Sequence, residues 1–411
     1  MNILLICTRF PLEPGNEYLT NELAAELVLE GNNVEAVVLD WDAPPGQRTF
    51  QHSLADGVNV TVIAPRSVRG LGRFVERGSK WLMSSLFALR EMRSLLRGRR
   101  FDGLICFSPA TTVAAPAIWT MRTFKPRSYL VQWDFFPFHQ RSIGLMGNRV
   151  AFAIAYRLEQ ALIRRFDAIG CMSPMNIAYL SAKFGPRPNQ AVERLPIWGR
   201  TSAPAPEPAE RVRAEHDLPA NARIVVFGGQ ITEGRGVEDV LAAAQLAFIR
   251  RPDLCFLVIG QGRLAGLVKA HIAGGGANTV YRERIPRTDY LRLLAACDIG
   301  LVATVRNVDV PTFPSKIIDY LRAGIPIVAS VEQSTDFGTF VEEQGLGIAV
   351  EAGNPAAILA AVEALVDDKA RAASAAAAAR ACLADVFDVR HAARRIAASL
   401  SKTTMIRSAD D

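Results

Sequence analysis

The strongest constraint on this chain is a recurring short run that is apolar throughout rather than at alternate positions. The runs are NILLIC (2–7), VEAVVL (34–39), VNVTVI (58–63), FDGLICF (101–107), SYLVQW (128–133) and DAIGCM (167–172) in the first half. RIVVFG (223–228), LCFLVIG (254–260), NTVY (278–281), DIGLV (298–302), IPIVAS (325–330) and LGIAV (346–350) follow in the second. Helical patterns such as LTNELAAELVLEG (19–31) and VEDVLAAAQLAFIRR lie between them. A strand with one wet face alternates, whereas a strand covered on both faces does not, so these runs demand a parallel sheet with helices on either side. At 411 residues the chain has room for two or three such units. SAPAPEPAE (202–210) carries three prolines and reads as a stiff crossover. The predicted architecture is α/β, with two Rossmann-like doubly wound parallel-sheet domains facing across a cleft. The expected domains are 1–199 and 200–385, with a tail helix at 386–411 packing back on the N-terminal domain. One Ala-rich helical tract is expected over about 356–399. In open sheets of this kind ligands bind beyond the strand C-termini.

Several classes are excluded. The six cysteines (Cys7, Cys106, Cys171, Cys255, Cys297, Cys382) are widely separated and form no C-x-x-C or Cys/His cluster, so neither a disulfide scaffold nor a structural zinc site is expected. Buried, scattered thiols suit a reducing cytoplasm. MNILLIC has no basic n-region and is too short for a signal peptide. Residues 103–121 are uncharged, but two prolines and four hydroxyl side chains interrupt them, which reads as strand, turn and helix rather than a membrane span. DWD (40–42) imitates a metal-binding D-x-D, yet it ends the second strand, in the half away from the expected donor site, and no metal is expected there.

Charge is concentrated. Residues 66–100 hold ten Lys/Arg and two acids, a net +8 in a chain whose total is +6, so the remainder carries −2. Arg66, Arg69, Arg73, Arg77 and Lys80 share one helical face. Leu71, Phe74, Val75, Leu82, Leu86, Leu89 and Leu96 share another, with Trp81 between the two sets. A basic amphipathic helix with an aromatic reads as an element that docks on the anionic inner leaflet of a membrane. A surface helix whose apolar stripe packs on its own core is the alternative. No nucleic-acid recognition pattern appears.

Three segments could carry chemistry. VPTFPSKIIDYLRAGIPIVAS (310–330) predicts a helix of about ten residues opening at Pro314 and stopped by Gly324. Its N-terminus, with Ser315 and Lys316, is suited to phosphate. Lys316 and Asp319 are three apart, so a cation for phosphate and a carboxylate for a ribose hydroxyl would share a face. In VVFGGQITEGRGVEDVL (225–241) a strand ends at Gly228-Gly229 and a loop bearing Arg235 enters a helix. TRFPLEPGNEYLTNELAAEL (8–27) has a Pro/Gly turn feeding a helix near Glu17.

Together these segments resemble the family-4 retaining glycosyltransferases of the GT-B fold, over nearly the whole chain. PSK, G-x-P and the following Glu343, Gly345 and Gly347 carry most of the likeness. The family's first-strand glycine loop matches Pro14-Gly15-Asn16, with Asn16 at its usual second glycine. Its Arg…Lys diphosphate pair falls on Gln230 and Arg235. Its E-x7-E pattern places the ribose ligand on Asp319 and leaves the other position as Pro311, with Asp309 the nearest substitute. Its histidine after the fourth strand would fall on Phe107. WDFFPF (133–138) and the basic helix are similar to a branch acting on lipid-linked acceptors in surface polysaccharide synthesis. Within that branch Asp134, with His139 close by, would serve the acceptor side.

The resemblance implies a nucleotide-diphosphate sugar held by Gly229, Arg235, Pro314, Ser315 and Lys316 without cofactor or metal. It implies transfer, with retention at the anomeric carbon, to a lipid-linked or other saccharide acceptor, in a cytoplasmic protein on the membrane surface. A GT-B nucleotide-sugar epimerase and a non-catalytic nucleotide-binding protein are the rival readings. A dehydrogenase fits poorly, because GQGRLAG (260–266) is spaced G-x-G-x-x-x-G and the first-strand loop lacks the dinucleotide spacing.

Overall fold

The computed structural model describes residues 1–402 except 14, 17, 42, 44–46 and 65–72, with residues 73–82 described by backbone alone. The chain divides into two compact units. The first comprises residues 1–138, 146–197 and 389 onward, the second residues 139–145 and 198–388. The crossing back at 139–145 was not signalled by composition.

The strands of the first unit are β1 (Asn2–Cys7), β2 (Asn33–Leu39), β3 (Phe50–Ser53), β4 (Asn59–Ile63), β5 (Gly103–Phe107), β6 (Arg127–Gln132), β7 (Ala168–Cys171) and β8 (Ala191–Arg194). They form a sheet ordered β3-β4-β2-β1-β5-β6-β7-β8, parallel except for the antiparallel edge strand β3. The second unit holds β9 (Arg223–Gly228), β10 (Leu254–Ile259), β11 (Thr279–Arg282), β12 (Ile299–Ala303), β13 (Ile327–Val331) and β14 (Gly347–Glu351), ordered β11-β10-β9-β12-β13-β14 and parallel throughout. That second order is the doubly wound arrangement, with its reversal between β9 and β12. The corresponding reversal in the first sheet falls between β1 and β5.

The apolar runs explain the core. Ile3, Leu4, Leu5 and Ile6 of β1 and Leu254 to Ile259 of β10 are all buried. In the second unit Val225, Phe227, Phe256, Val258 and Leu301 pack with Val240, Ala244, Ile358 and Val362 from flanking helices. β3 escaped the sequence reading because FQHS is exposed along its length and pairs at one edge.

Residues 103–121 resolve into β5, a 3₁₀ turn at Ala110–Val113 and a helix at Ala114–Thr123. Among the described residues no helix is long and apolar enough to cross a membrane. The Ala-rich helical tail expected over 356–399 is helical and divides into three helices, Pro355–Asp367, Lys369–Val386 and Val389–Ser401. Asp368 breaks the first from the second, with its side chain accepting from the Arg371 N–H at 2.9 Å. The last helix lies in the first unit, where Arg394 pairs with Glu30 at 2.9 Å.

Candidate active site

At the reversal of the second sheet two loops leave the strand ends. The loop after β9 runs from Gly229 to Gly236, and Gly229, Gly234 and Gly236 all have positive φ, +120°, +81° and +60°. It is pinned by Gly229 N–H to the Ile259 carbonyl and Ile231 N–H to the Gln261 carbonyl, both 2.9 Å. The loop after β12 carries Asp309 to Lys316 into the helix Ile317–Ala323. Tyr320 of that helix is fully buried. Its hydroxyl accepts the Gly228 N–H at 3.1 Å and lies 3.1 Å from the Leu301 carbonyl, so one side chain ties the helix to β9 and β12 at once.

Lys316 reaches back from the start of this helix toward the first loop. Its Nζ sits 3.8 Å from the centre of the Phe227 ring. Its Cε lies 3.7 Å from where a Cβ on Gly229 would stand. The ammonium is buried and makes no hydrogen bond among the described residues. Burial, and then the charge of Arg235, hold its pKa well below the ordinary lysine range. A buried amine without a hydrogen-bond acceptor is an unusual thing for a folded chain to keep. An anion placed at Gly229 would supply the missing partner.

The predicted helix opening at Pro314 is corrected by this geometry. Pro314 and Ser315 form a turn whose carbonyls take the Ile317 and Ile318 N–H groups at 3.3 and 3.2 Å, so the helix begins at Ile317 and is seven residues long. The amides of Ser315 and Lys316 precede it and are free of protein acceptors among the described residues.

Lys316 and Asp319, expected to share a face, take separate partners in the structure. Asp319 takes two bonds from Arg287, at 2.7 and 2.5 Å, while Lys316 turns to Phe227. Asp319 keeps only its remaining lone pairs for a ligand. Asp309 is exposed and accepts from the Ser142 hydroxyl at 2.6 Å. Gln230 is exposed beside Gly229.

In the first unit the loops after β1, β5 and β6 carry Gly15, Asn16 and Asp134. Gly15 has φ +79° and the Asn16 N–H closes a turn on Glu13 at 3.2 Å, whereas Pro14 and Glu17 lie outside the described residues. The Ser108 hydroxyl accepts the backbone N–H groups of Trp133 and Asp134 at 2.8 and 2.9 Å, which fixes Asp134 at the end of β6. Phe107 packs on Trp133 with ring centres 4.9 Å apart. Asp134 stays with the first unit, while His139 opens the 139–145 segment of the second.

Residues 15–198 match the family described as the glycosyl transferase 4-like domain, and residues 222–368 match glycosyl transferases group 1. Both parallel-sheet units are thus similar to glycosyltransferase domains, and the fold is of the GT-B class. Over 369 residues it is 24% identical to the putative colanic acid biosynthesis glycosyl transferase WcaI of Escherichia coli K12, covering 84% of this chain and 86% of the relative. The crystal structure of Anabaena HepE in complex with UDP-glucose superposes with a TM-score of 0.69 at 16% identity, over 98% of this chain and 99% of the other. WaaG, a glycosyltransferase involved in lipopolysaccharide biosynthesis, superposes at 0.66 with 12% identity, over 98% of this chain and 100% of the other.

One residue of the first unit had no sequence signal beyond being an acid in an apolar helix. Glu159 is fully buried and accepts the Ala110 and Thr111 N–H groups at 2.7 and 2.8 Å, capping the 3₁₀ turn after β5. Burial raises its pKa to about 7 against the pull of those two bonds. The folded protein therefore holds a proton there that the unfolded chain releases above its ordinary carboxylate value. Stability attributable to Glu159 is largest at low pH and falls between about 4.5 and 7. Glu159→Gln sets an amide donor against a backbone N–H, so it should cost about 1–3 kcal/mol and flatten that pH dependence. Denaturant unfolding between pH 4 and 8 checks both; an unchanged slope would remove Glu159 as its source.

Of the basic face expected to dock on a membrane, Arg66 and Arg69 lie outside the described residues, as do the side chains of Arg73, Arg77, Lys80 and Trp81. The backbone over Arg73–Leu95 is helical. Farther along, Ala88, Met92 and Leu96 are buried, Met83 and Leu86 are exposed, and Arg99 pairs with Glu35. Among the described residues no group of three or more His, Cys, Asp or Glu could hold a metal.

Proposed function

We propose that the protein transfers a sugar from a nucleotide-diphosphate sugar to a hydroxyl of a saccharide acceptor, lipid-linked and bound for cell-surface polysaccharide, with retention at the anomeric carbon. The observation that carries this reading is the buried Lys316 ammonium, unbonded above Phe227 and beside Gly229. It is an amine held where a leaving diphosphate would develop negative charge, and a bound diphosphate would return its proton. Arg235 adds a second cation, and the Ser315 and Lys316 amides add donors. Such preorganised groups stabilise a leaving diphosphate without a metal or cofactor. The acceptor hydroxyl would attack from the leaving-group side and pass its proton to a phosphate oxygen, so positioning matters more than a side-chain base. Asp134 and His139 are the residues assigned to the acceptor. Asp319 would meet the ribose through the lone pairs that Arg287 leaves free. Similarity to a colanic acid transferase and a lipopolysaccharide transferase supports the polysaccharide setting. The UDP-glucose in the HepE structure supports the donor class. The protein would act at the cytoplasmic face of a membrane, reached through the basic 66–100 segment.

A thermal-shift screen with UDP-, GDP-, ADP- and dTDP-sugars tests the donor. A ligand at a hundred times its Kd adds about 2.7 kcal/mol to stability, and one of the four is expected to raise Tm on that scale. Incubating that donor with oligosaccharide acceptors should then release nucleoside diphosphate. No shift with any of the four, or a sugar epimerised from donor alone, would overturn the reading.

A further inference from the structure

The 66–100 segment is not the chain's only basic stretch. Residues 146–192 hold six Lys/Arg and two acids. Neither acid is available at the surface helix in this stretch: Glu159 is buried under the 3₁₀ turn, and Asp167 accepts from the Ser128 N–H and hydroxyl at 2.9 and 2.8 Å. The helix Arg149–Ile163 shows what the charge accompanies. Its inner face, Ala155, Glu159, Leu162 and Ile163, is buried in the first unit. Its outer face is apolar as well. Val150, Ile154 and Leu158 follow at four-residue steps and are 68%, 57% and 53% exposed. Four residues turn a helix by about 400°, so the three form one slowly drifting stripe. Ala151, Ala153 and Ala161 extend it, and all three are exposed. Arg149, Arg157, Arg164 and Arg165 are exposed around it, and none forms an ion pair among the described residues.

Three exposed branched aliphatics on successive turns make a contiguous patch rather than scattered surface residues. A rim of arginines without ion pairs, in a stretch whose own two acids are engaged inside the fold, would meet a negatively charged partner. The guanidiniums sit on flexible stems beside the apolar stripe, so they can stay in water while the stripe is buried. A sheet of anionic lipid headgroups over acyl chains matches both features.

We propose that the outer face of the helix Arg149–Ile163 docks on an anionic lipid surface, with Val150, Ile154 and Leu158 inserted and Arg157, Arg164 and Arg165 on headgroup phosphates. It extends the peripheral-membrane reading and assigns the contact to a second element, apart from the basic 66–100 segment. It does not depend on the donor site, because it is tested without nucleotide.

The test is co-sedimentation of the full-length protein with vesicles of phosphatidylglycerol and phosphatidylcholine, and with vesicles of phosphatidylcholine alone. The wild type should bind the mixed vesicles and release with added salt. The Val150→Ser/Ile154→Ser/Leu158→Ser variant, unchanged in melting temperature, should lose about a hundredfold in partitioning. Arg164→Gln/Arg165→Gln should lose roughly fivefold per arginine and show a shallower salt dependence. Should the triple variant prove unstable, the arginine variant decides alone. Binding by both variants equal to wild type would overturn the proposal and leave the 66–100 segment as the contact. Absence of wild-type binding would overturn both membrane readings. Equal binding to the neutral vesicles, or a change of oligomeric state in the triple variant, would also count against it, the latter by making the face an interface between copies.

Discussion

Lys316→Ala is expected to lower kcat/KM for sugar transfer by roughly 10²–10³-fold, the usual consequence of removing one preorganised group from developing charge. The fold should survive, because the Tyr320 hydroxyl and the Ile317–Ala323 helix do not depend on the ammonium. Lys316→Met separates function from stability more sharply. In the empty protein the amine is buried without a hydrogen bond. A methionine of similar length should stabilise the empty fold by about 1–3 kcal/mol while abolishing the nucleotide-induced rise in Tm. Gain of stability with loss of activity marks a functional group held at a cost to the fold, and a structural lysine would not behave so. Burial, with Arg235 adding to it, depresses the Lys316 pKa in the folded state. Folding therefore excludes a proton that the unfolded chain binds, and the stability of the empty protein rises with pH from that depressed value toward the ordinary lysine value. A bound diphosphate would restore the proton. Nucleotide binding is thus expected to take up protons and to weaken as pH climbs through the same window. Calorimetry in buffers of different ionisation enthalpy measures the uptake, and no uptake by the wild type would contradict the assignment.

The second large effect lies at Gly260. This residue has φ +149°, and a Cβ there would stand 1.7 Å from the Gly229 carbonyl oxygen. Neither the backbone conformation nor the space admits a side chain. Gly260→Ala should cost the second unit about 3–5 kcal/mol, seen as a drop of roughly 10 °C in Tm, and nucleotide binding should fall with it, because the loop displaced carries Gly229. Gly266 lies in the same G-x-G-x-x-x-G run, within the helix Ala265–Ala273, and a Cβ on it meets nothing within 4 Å. Gly266→Ala should be neutral or slightly stabilising. Equal behaviour of the two variants in thermal unfolding would show that the run does not buttress the donor loop.

Much of the sheet was legible because burial on both faces leaves no room for polar residues, and the runs at 2–7, 223–228 and 254–260 coincide with β1, β9 and β10 to within a residue. Strands at the edges were not. FQHS of β3 is exposed throughout, and AVER of β8 is at most half-buried, so the pattern that marks a covered strand is missing. The place of Lys316 was legible from Pro314, Gly324 and Pro326, which bracket a short helix between loop and strand. Its condition was not. That the ammonium turns to Phe227, and that Asp319 is held by Arg287 from 32 residues upstream, are results of folding across the sheet. Glu159 was invisible for the same reason, since its partners are amides 48 and 49 residues away. The excursion of residues 139–145 into the second unit has no compositional mark. The second basic stretch was hidden by arithmetic, because one summed charge for the chain outside 66–100 averaged it away.

The central claim is that a sugar nucleotide's diphosphate occupies the space between Gly229 and the start of the Ile317–Ala323 helix. A crystal structure of the protein soaked with the nucleoside diphosphate that most raises its melting temperature tests this directly. The account predicts phosphate oxygens within about 3 Å of Lys316 Nζ and of the Ser315 or Lys316 amide. A nucleotide bound elsewhere, with Lys316 still turned onto Phe227 and unbonded, would contradict it.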